Sequence, residues 1–73
     1  MKKVPVDVEY VRLPDGSMEP KTVIWNDGRR WQISRVLFSS MSPNEYEGIR
    51  YTVIIGSAEK YIYRANHEWY VMV

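Results

Sequence analysis

A chain of 73 residues has room for one domain. At that size only about 60% of the unfolded surface leaves water on folding, so the core needs large side chains, and three Trp, six Tyr and one Phe supply them. The absence of Cys excludes a disulfide framework and a thiolate metal site, and a net charge of +1 falls short of the positive excess expected of a dedicated nucleic-acid module. No stretch approaches the roughly 18–20 apolar residues of a spanning helix, and Met1-Lys2-Lys3 leads into alternating rather than continuous apolar residues. A soluble protein of the reducing cytoplasm is the expectation.

Val4, Val6, Val8 and Tyr10 alternate with Pro5, Asp7 and Glu9, which predicts a first strand over 4–11 with one wet face. Pro5 cannot donate to a ladder, so the strand is expected to begin at a sheet edge. Pro14-Asp15-Gly16-Ser17 is a turn by composition, and a second strand is predicted over 20–25 with Val23 and Trp25 in one phase and Thr22 and Ile24 in the other. Asn26-Asp27-Gly28 then reverses the chain, Gly supplying the positive φ such a reversal needs.

The third strand is predicted over 29–38, with Trp31 and Ile33 on one face and Arg30, Gln32 and Ser34 on the other. Its phase slips at Arg35 and Val36-Leu37-Phe38, the pattern of a bulge where a strand rounds a barrel corner. Residues 39–48 form the one long connection. There a capping Ser42, Pro43 at a first helical position and Glu45 predict at most one short helical turn near 43–47. Strands over 49–55, 60–65 and 69–73 follow, joined by Gly56-Ser57-Ala58-Glu59 and Asn66-His67-Glu68. The fold class is therefore all-β, a single domain over residues 1–73. Six antiparallel strands form a meander, closed into a small SH3-like barrel or curled as a strongly twisted sheet. The presumed core phase comprises Val23, Trp25, Val53, Ile55, Tyr61, Tyr63, Trp69 and Val71.

The order Trp25-x-Asp27-Gly28-Arg29-x-Trp31-x-Ile33-x-Arg35-Val36-Leu37, then Arg50-Tyr51-Thr52-Val53-x-Ile55-Gly56, Tyr61-Ile62-Tyr63 and Trp69-Tyr70-Val71, resembles a family of short bacterial all-β proteins without an assigned function. The resemblance spans about residues 22–73 and rests on aromatic and turn positions, so it implies a fold and no activity. Two features depart from the pattern. Glu45 and Glu47 stand in a loop that looks more basic in relatives, and Asn66-His67 replaces an Asp-Gly type of turn.

Two constellations bear on function. Arg29, Arg30 and Arg35 crowd around Trp25 and Trp31, with Lys21 near and only Asp27 opposed, and with Arg50 they are the candidate contacts to a single-stranded nucleic acid. The simpler account is that the Trp rings are core and the Arg stems lie over them with their heads in water. The second constellation is Ile24, Ile54, Ile62, Tyr70 and Met72, which alternate out of register with the core set and make the opposite face partly apolar. Either closure of the barrel and the long loop bury them, or they form an interface with a second copy or a partner protein.

No residue pattern points to catalysis. His67, the single His, falls in a predicted turn without metal-ligand spacing; Ser39, Ser40 and Ser42 lack a nucleophile signature; Asp7 and Glu9 read as a solvated face. The four glycines are isolated, so none builds a phosphate-binding loop, and no cofactor or metal is expected. The expected function is non-enzymatic protein association, as a homodimer or an accessory module; weak single-stranded nucleic-acid binding is the alternative.

Overall fold

The computed structural model describes residues 2–73. Six strands follow in chain order: β1 Lys3–Arg12, β2 Met18–Ile24, β3 Arg30–Met41, β4 Ile49–Ile55, β5 Ala58–Ala65 and β6 Glu68–Met72. All neighbours are antiparallel, and pairing of β1 with β6 closes the meander into a barrel, the small SH3-like form of the two architectures expected. Principal extents are 32 × 28 × 23 Å.

The first two hairpins use the same device. Gly16 N–H donates to Leu13 O and Leu13 N–H to Ser17 O, while Gly28 N–H donates to Trp25 O and Trp25 N–H to Arg29 O. Each is a turn followed by a left-handed Gly, with φ of 88° at Gly16 and 91° at Gly28. Asp15 and Asp27 brace these turns. Asp15 accepts from the Ser17 hydroxyl and backbone N–H, at 2.6 and 2.9 Å; Asp27 accepts from Arg29 N–H at 3.0 Å and Arg29 Nε at 2.8 Å. The β5–β6 turn needs no Gly, because Asn66 takes the left-handed conformation itself at φ 58°.

Closing so few strands requires strong coiling, and bulges supply it. The β3–β4 register slips between Ile33 and Arg35 and again between Val36 and Phe38, where the sequence pattern loses its phase. A further slip, between Glu9 and Tyr10, places Tyr10 opposite Pro20 and leaves Lys21 as the extra residue. Tyr10, expected in the phase of Val6 and Val8, consequently stands half in water at the rim, its ring 6.1 Å from that of Trp69. Instead of beginning at a sheet edge, β1 serves two neighbours: Lys3 to Val6 face β6, and Asp7 to Arg12 face β2. Pro5 falls in the half paired with β6 alone.

The barrel interior holds Val6, Val23, Ile33, Tyr51, Val53, Ile62, Trp69 and Val71, with Trp25, Trp31, Val36, Ile49 and Ile55 packed at its margins. Here the sequence expectation is corrected on β5. Ile62 lies opposite Tyr51 and is 1% exposed inside the barrel, so Tyr61 and Tyr63, assigned to the core phase, point outward. An alternating Tyr-Ile-Tyr run is apolar in both phases, and only its register against β4 decides between them. A second cluster, Tyr63, Ala65 and Tyr70 with Tyr46 and Met72, therefore forms on the outside.

Candidate functional site

The outer cluster exists because residues 42–48 fold back over the sheet. Glu45 and Tyr46 N–H groups both donate to Ser42 O, which makes the single tight turn expected there, with no helix beyond it. The turn presents Tyr46, whose ring meets Tyr63 edge-on at 5.4 Å and whose hydroxyl bonds Ser40 Oγ at 2.8 Å. Tyr63 in turn stacks on Tyr70 at 4.9 Å and 8°, as expected of residues registered directly opposite on β5 and β6. The Tyr70 hydroxyl donates to Glu47 O at 2.8 Å, which ties the loop down. Burial, reinforced by the negative charge of Glu47, raises the Tyr70 phenol above the ordinary tyrosine range. Lys3 completes the cover, with Nζ 4.4 Å from the Tyr70 ring centre and 3.8 Å from Glu47 Oε2.

The apolar outer set is thus dispersed. Ile62 is inside, Tyr70 is only 3% exposed beneath the loop, and Met72 packs half-buried beside it. Ile24 and Ile54 are half-buried and well separated: Ile24 is registered with Asp7 and Arg30, Ile54 with Arg35 and Glu59. As a contiguous exposed patch these five residues do not exist, because the protein's own loop occupies part of the position reserved for a partner.

The arginines divide in the same way. Arg29 is held by Asp27 and lies 5.2 Å from the Trp25 ring centre; Arg30 bonds Glu9 at 2.7 Å. These pairs sit at the surface, so they orient the side chains more than they stabilise the fold. Arg35 and Arg50 instead stand on the outer face of β3 and β4, and neither is within ion-pair distance of a carboxylate among the described residues. The Arg50 guanidinium lies 4.4 Å from the Tyr61 ring centre and 4.8 Å from that of Tyr46, with its Nε buried and without an acceptor. Thr52, two residues on, is registered between Phe38 and Tyr61, and its hydroxyl is buried without a partner. Phe38 is 56% exposed and Tyr61 47%. Two wet rings therefore flank orphaned polar atoms.

A third feature was not legible as a pattern. Pairing between β2 and β3 covers only Thr22–Gln32, Val23–Trp31 and Ile24–Arg30, after which the strands part and β3 from Ile33 to Met41 is registered on β4 alone. A groove opens in the gap, with Leu13, Met18, Val36, Phe38 and Ile49 among its walls. The β2 side of this gap carries Pro20 and Lys21, both residues that discourage further pairing. By contrast, Val36-Leu37-Phe38-Ser39-Ser40-Met41 has neither a charge nor a proline, and Met41 is 70% exposed. Only the length of β3, which the sequence pattern ends at Phe38, would have revealed this edge.

His67 lies exposed in the β5–β6 turn, and no group of three His, Cys, Asp or Glu side chains that could hold a metal ion occurs among the described residues. Among the described residues no helix is long and apolar enough to cross a membrane. Comparison of the chain with protein-family models, with curated proteins and with solved structures gives no match, so any reading of function rests on these surfaces alone.

Proposed function

We propose that the domain works by protein association through the far half of β3. The observation that carries this reading is the uncharged run of residues 36–41 on a strand paired on one side only, with Phe38 and Met41 largely in water. An unprotected strand edge of this length is a template for another chain, and natural proteins blunt such edges unless they are used. An incoming extended segment would gain main-chain hydrogen bonds from β3 and set alternate side chains into the groove beside Val36 and Phe38. The segment belongs to a second copy or to a partner protein.

Sedimentation velocity across a wide concentration range, combined with hydrogen exchange, tests this. Association that protects the amides of residues 36–41 supports a second copy; a strict monomer whose same amides become protected by an extended peptide selected from a display library supports a partner. A monomer that takes up no such peptide overturns the reading.

A second reading is favoured by the outer face. Phe38 and Tyr61 are exposed rings on strands about 10 Å apart, two strand spacings, with the Arg50 guanidinium 4.4 Å from the Tyr61 ring centre and Arg35 beyond. Stacked bases with phosphates on Arg are how small barrels hold single strands. Fluorescence anisotropy with short oligonucleotides would then give an affinity that falls as salt rises, and flat titrations at low salt would eliminate it.

A further inference from the structure

The barrel wall has a second opening, at the end opposite the β5–β6 turn. Registered pairing of β5 with β6 stops at Tyr63–Tyr70, so β5 from Ala58 to Ile62 is held by β4 alone and Val71 and Met72 by β1 alone. The gap leads into a cavity of about 250 Å³ over the barrel end. Its floor is aliphatic, with Val23, Ile55, Ile62 and Val71, and its wall is the Trp25–Trp31 pair, edge to face at 4.8 Å. This volume lies between the roughly 150 Å³ that admits a benzene ring and the roughly 300–1,000 Å³ of drug-sized sites, which sets the occupant at one or two rings.

The charged residues at the mouth define the rest of the ligand. Lys60 and Glu59 both line the mouth; the register of Lys60 opposite the core residue Val53 places it in the inward phase, and that of Glu59 opposite Ile54 places it on the outer side of the rim. No carboxylate lies within ion-pair distance of Lys60 among the described residues. An apolar slot walled by two indole rings, with a cation free of ion pairs in the inward phase at its mouth, selects a flat ring carrying an anionic group.

We propose that this opening binds an aromatic carboxylate, the ring against Trp25 and Trp31 and the carboxylate on Lys60 Nζ. The same chemistry is offered by a free aromatic acid and by the C-terminal Phe of another protein. Both sources are tested by following the Trp25 and Trp31 indole N–H resonances. One arm titrates phenylacetate against phenylacetamide; the other titrates an N-acetylated tripeptide ending in Phe against its C-terminal amide. A saturable shift is expected with the acids and at least tenfold weaker binding with the amides. Saturation by phenylacetate alone assigns a small metabolite; tighter binding of the peptide acid assigns a chain terminus.

Lys60→Gln, at an exposed position, is expected to weaken the acids at least tenfold without disturbing the rest of the spectrum. Ile55→Phe fills the slot and should abolish the shift. Absence of saturation with both acids, equal response to acid and amide, or an affinity unchanged in Lys60→Gln overturns the proposal.

Discussion

The two ends of the outer face meet the same physical problem and solve it differently. On β5 and β6 the outward phase is Tyr63 and Tyr70, and the chain spends a loop covering them: Tyr46 caps one ring, Glu47 O accepts the phenol of the other, and Lys3 lies above. On β3 the outward and edge residues Leu37, Phe38 and Met41 are just as apolar and receive no cover. Composition does not distinguish the two regions; the reach of residues 42–48 does. Apolar surface in a small barrel is therefore evidence of a partner only after the chain's own loops have been placed.

The loop can be lifted by a single methyl group, which gives the largest expected effect. Gly48 has φ 82°, and a Cβ there would overlap the Arg64 carbonyl oxygen and come within 2.9 Å of Ala65 Cα, both backbone atoms that cannot step aside. Gly48→Ala should cost about 3 kcal/mol or more, the left-handed penalty plus the displacement of β5 or of the loop. Thermal unfolding measures it, and the covered face should then bind hydrophobic dye. Gly28 has nearly the same φ but open space around it. Gly28→Val is therefore expected to cost only the backbone share, about 1–2 kcal/mol, and no dye binding should follow. Equal losses at both positions would show that the loop is not wedged against β5.

Next in size is the bond that ties the loop. Tyr70→Phe keeps the stack on Tyr63 and removes the donor to Glu47 O, for an expected loss of about 1 kcal/mol. The same contact has a pH signature. Because the folded-state pKa of Tyr70 is raised, its contribution is fully present below the ordinary tyrosine pKa and is lost as pH rises through that range toward the higher folded value. Tyrosinate absorbance should show one phenol titrating late in the wild type and not in Tyr70→Phe. At the acid end the opposite sign applies. Hydrogen bonds from Ser17 to Asp15 and from Arg29 to Asp27 lower both carboxyl pKa values, so the bracing of the two turns is lost as pH falls through the aspartate range.

How much of this was legible follows from which signals are local. The Asp-Gly turns and the phase slip at Arg35 are written in adjacent residues, so the meander, the β3 bulges and the six strands could be read directly. The orientation of β5 could not, since Tyr61, Ile62 and Tyr63 satisfy either phase and only pairing with Tyr51 turns Ile62 inward. Nor could the fate of Tyr70, which depends on a loop 23 residues away in sequence. Arg30 looked like part of a basic patch because Glu9, which pairs with it, lies 21 residues away in sequence and reaches it only through the packing of β1 beside β2. The openings beside β3 and β5 were invisible for a related reason: they arise where pairing stops, and alternation continues unchanged past that point.

The smallest expected change in stability carries the sharpest test of the contrast. Phe38 is more than half exposed, so Phe38→Lys should alter the unfolding free energy by no more than about 0.5 kcal/mol, as surface substitutions away from packed features do. A lysine at this position on β3 is also the charge with which natural edges refuse an added strand. Association through residues 36–41 should therefore be lost in Phe38→Lys while the melting curve stays in place. For single-stranded nucleic acid the same substitution exchanges a stacking ring for a cation: sequence-independent binding would weaken by roughly 1–3 kcal/mol at moderate salt. At low salt the added charge would recover part of that loss, because phosphate contacts strengthen as salt falls. A Phe38→Lys variant that unfolds early would mean instead that Phe38 belongs with Tyr63 and Tyr70 as a ring the fold itself depends on, and the division between a covered and an open face would collapse.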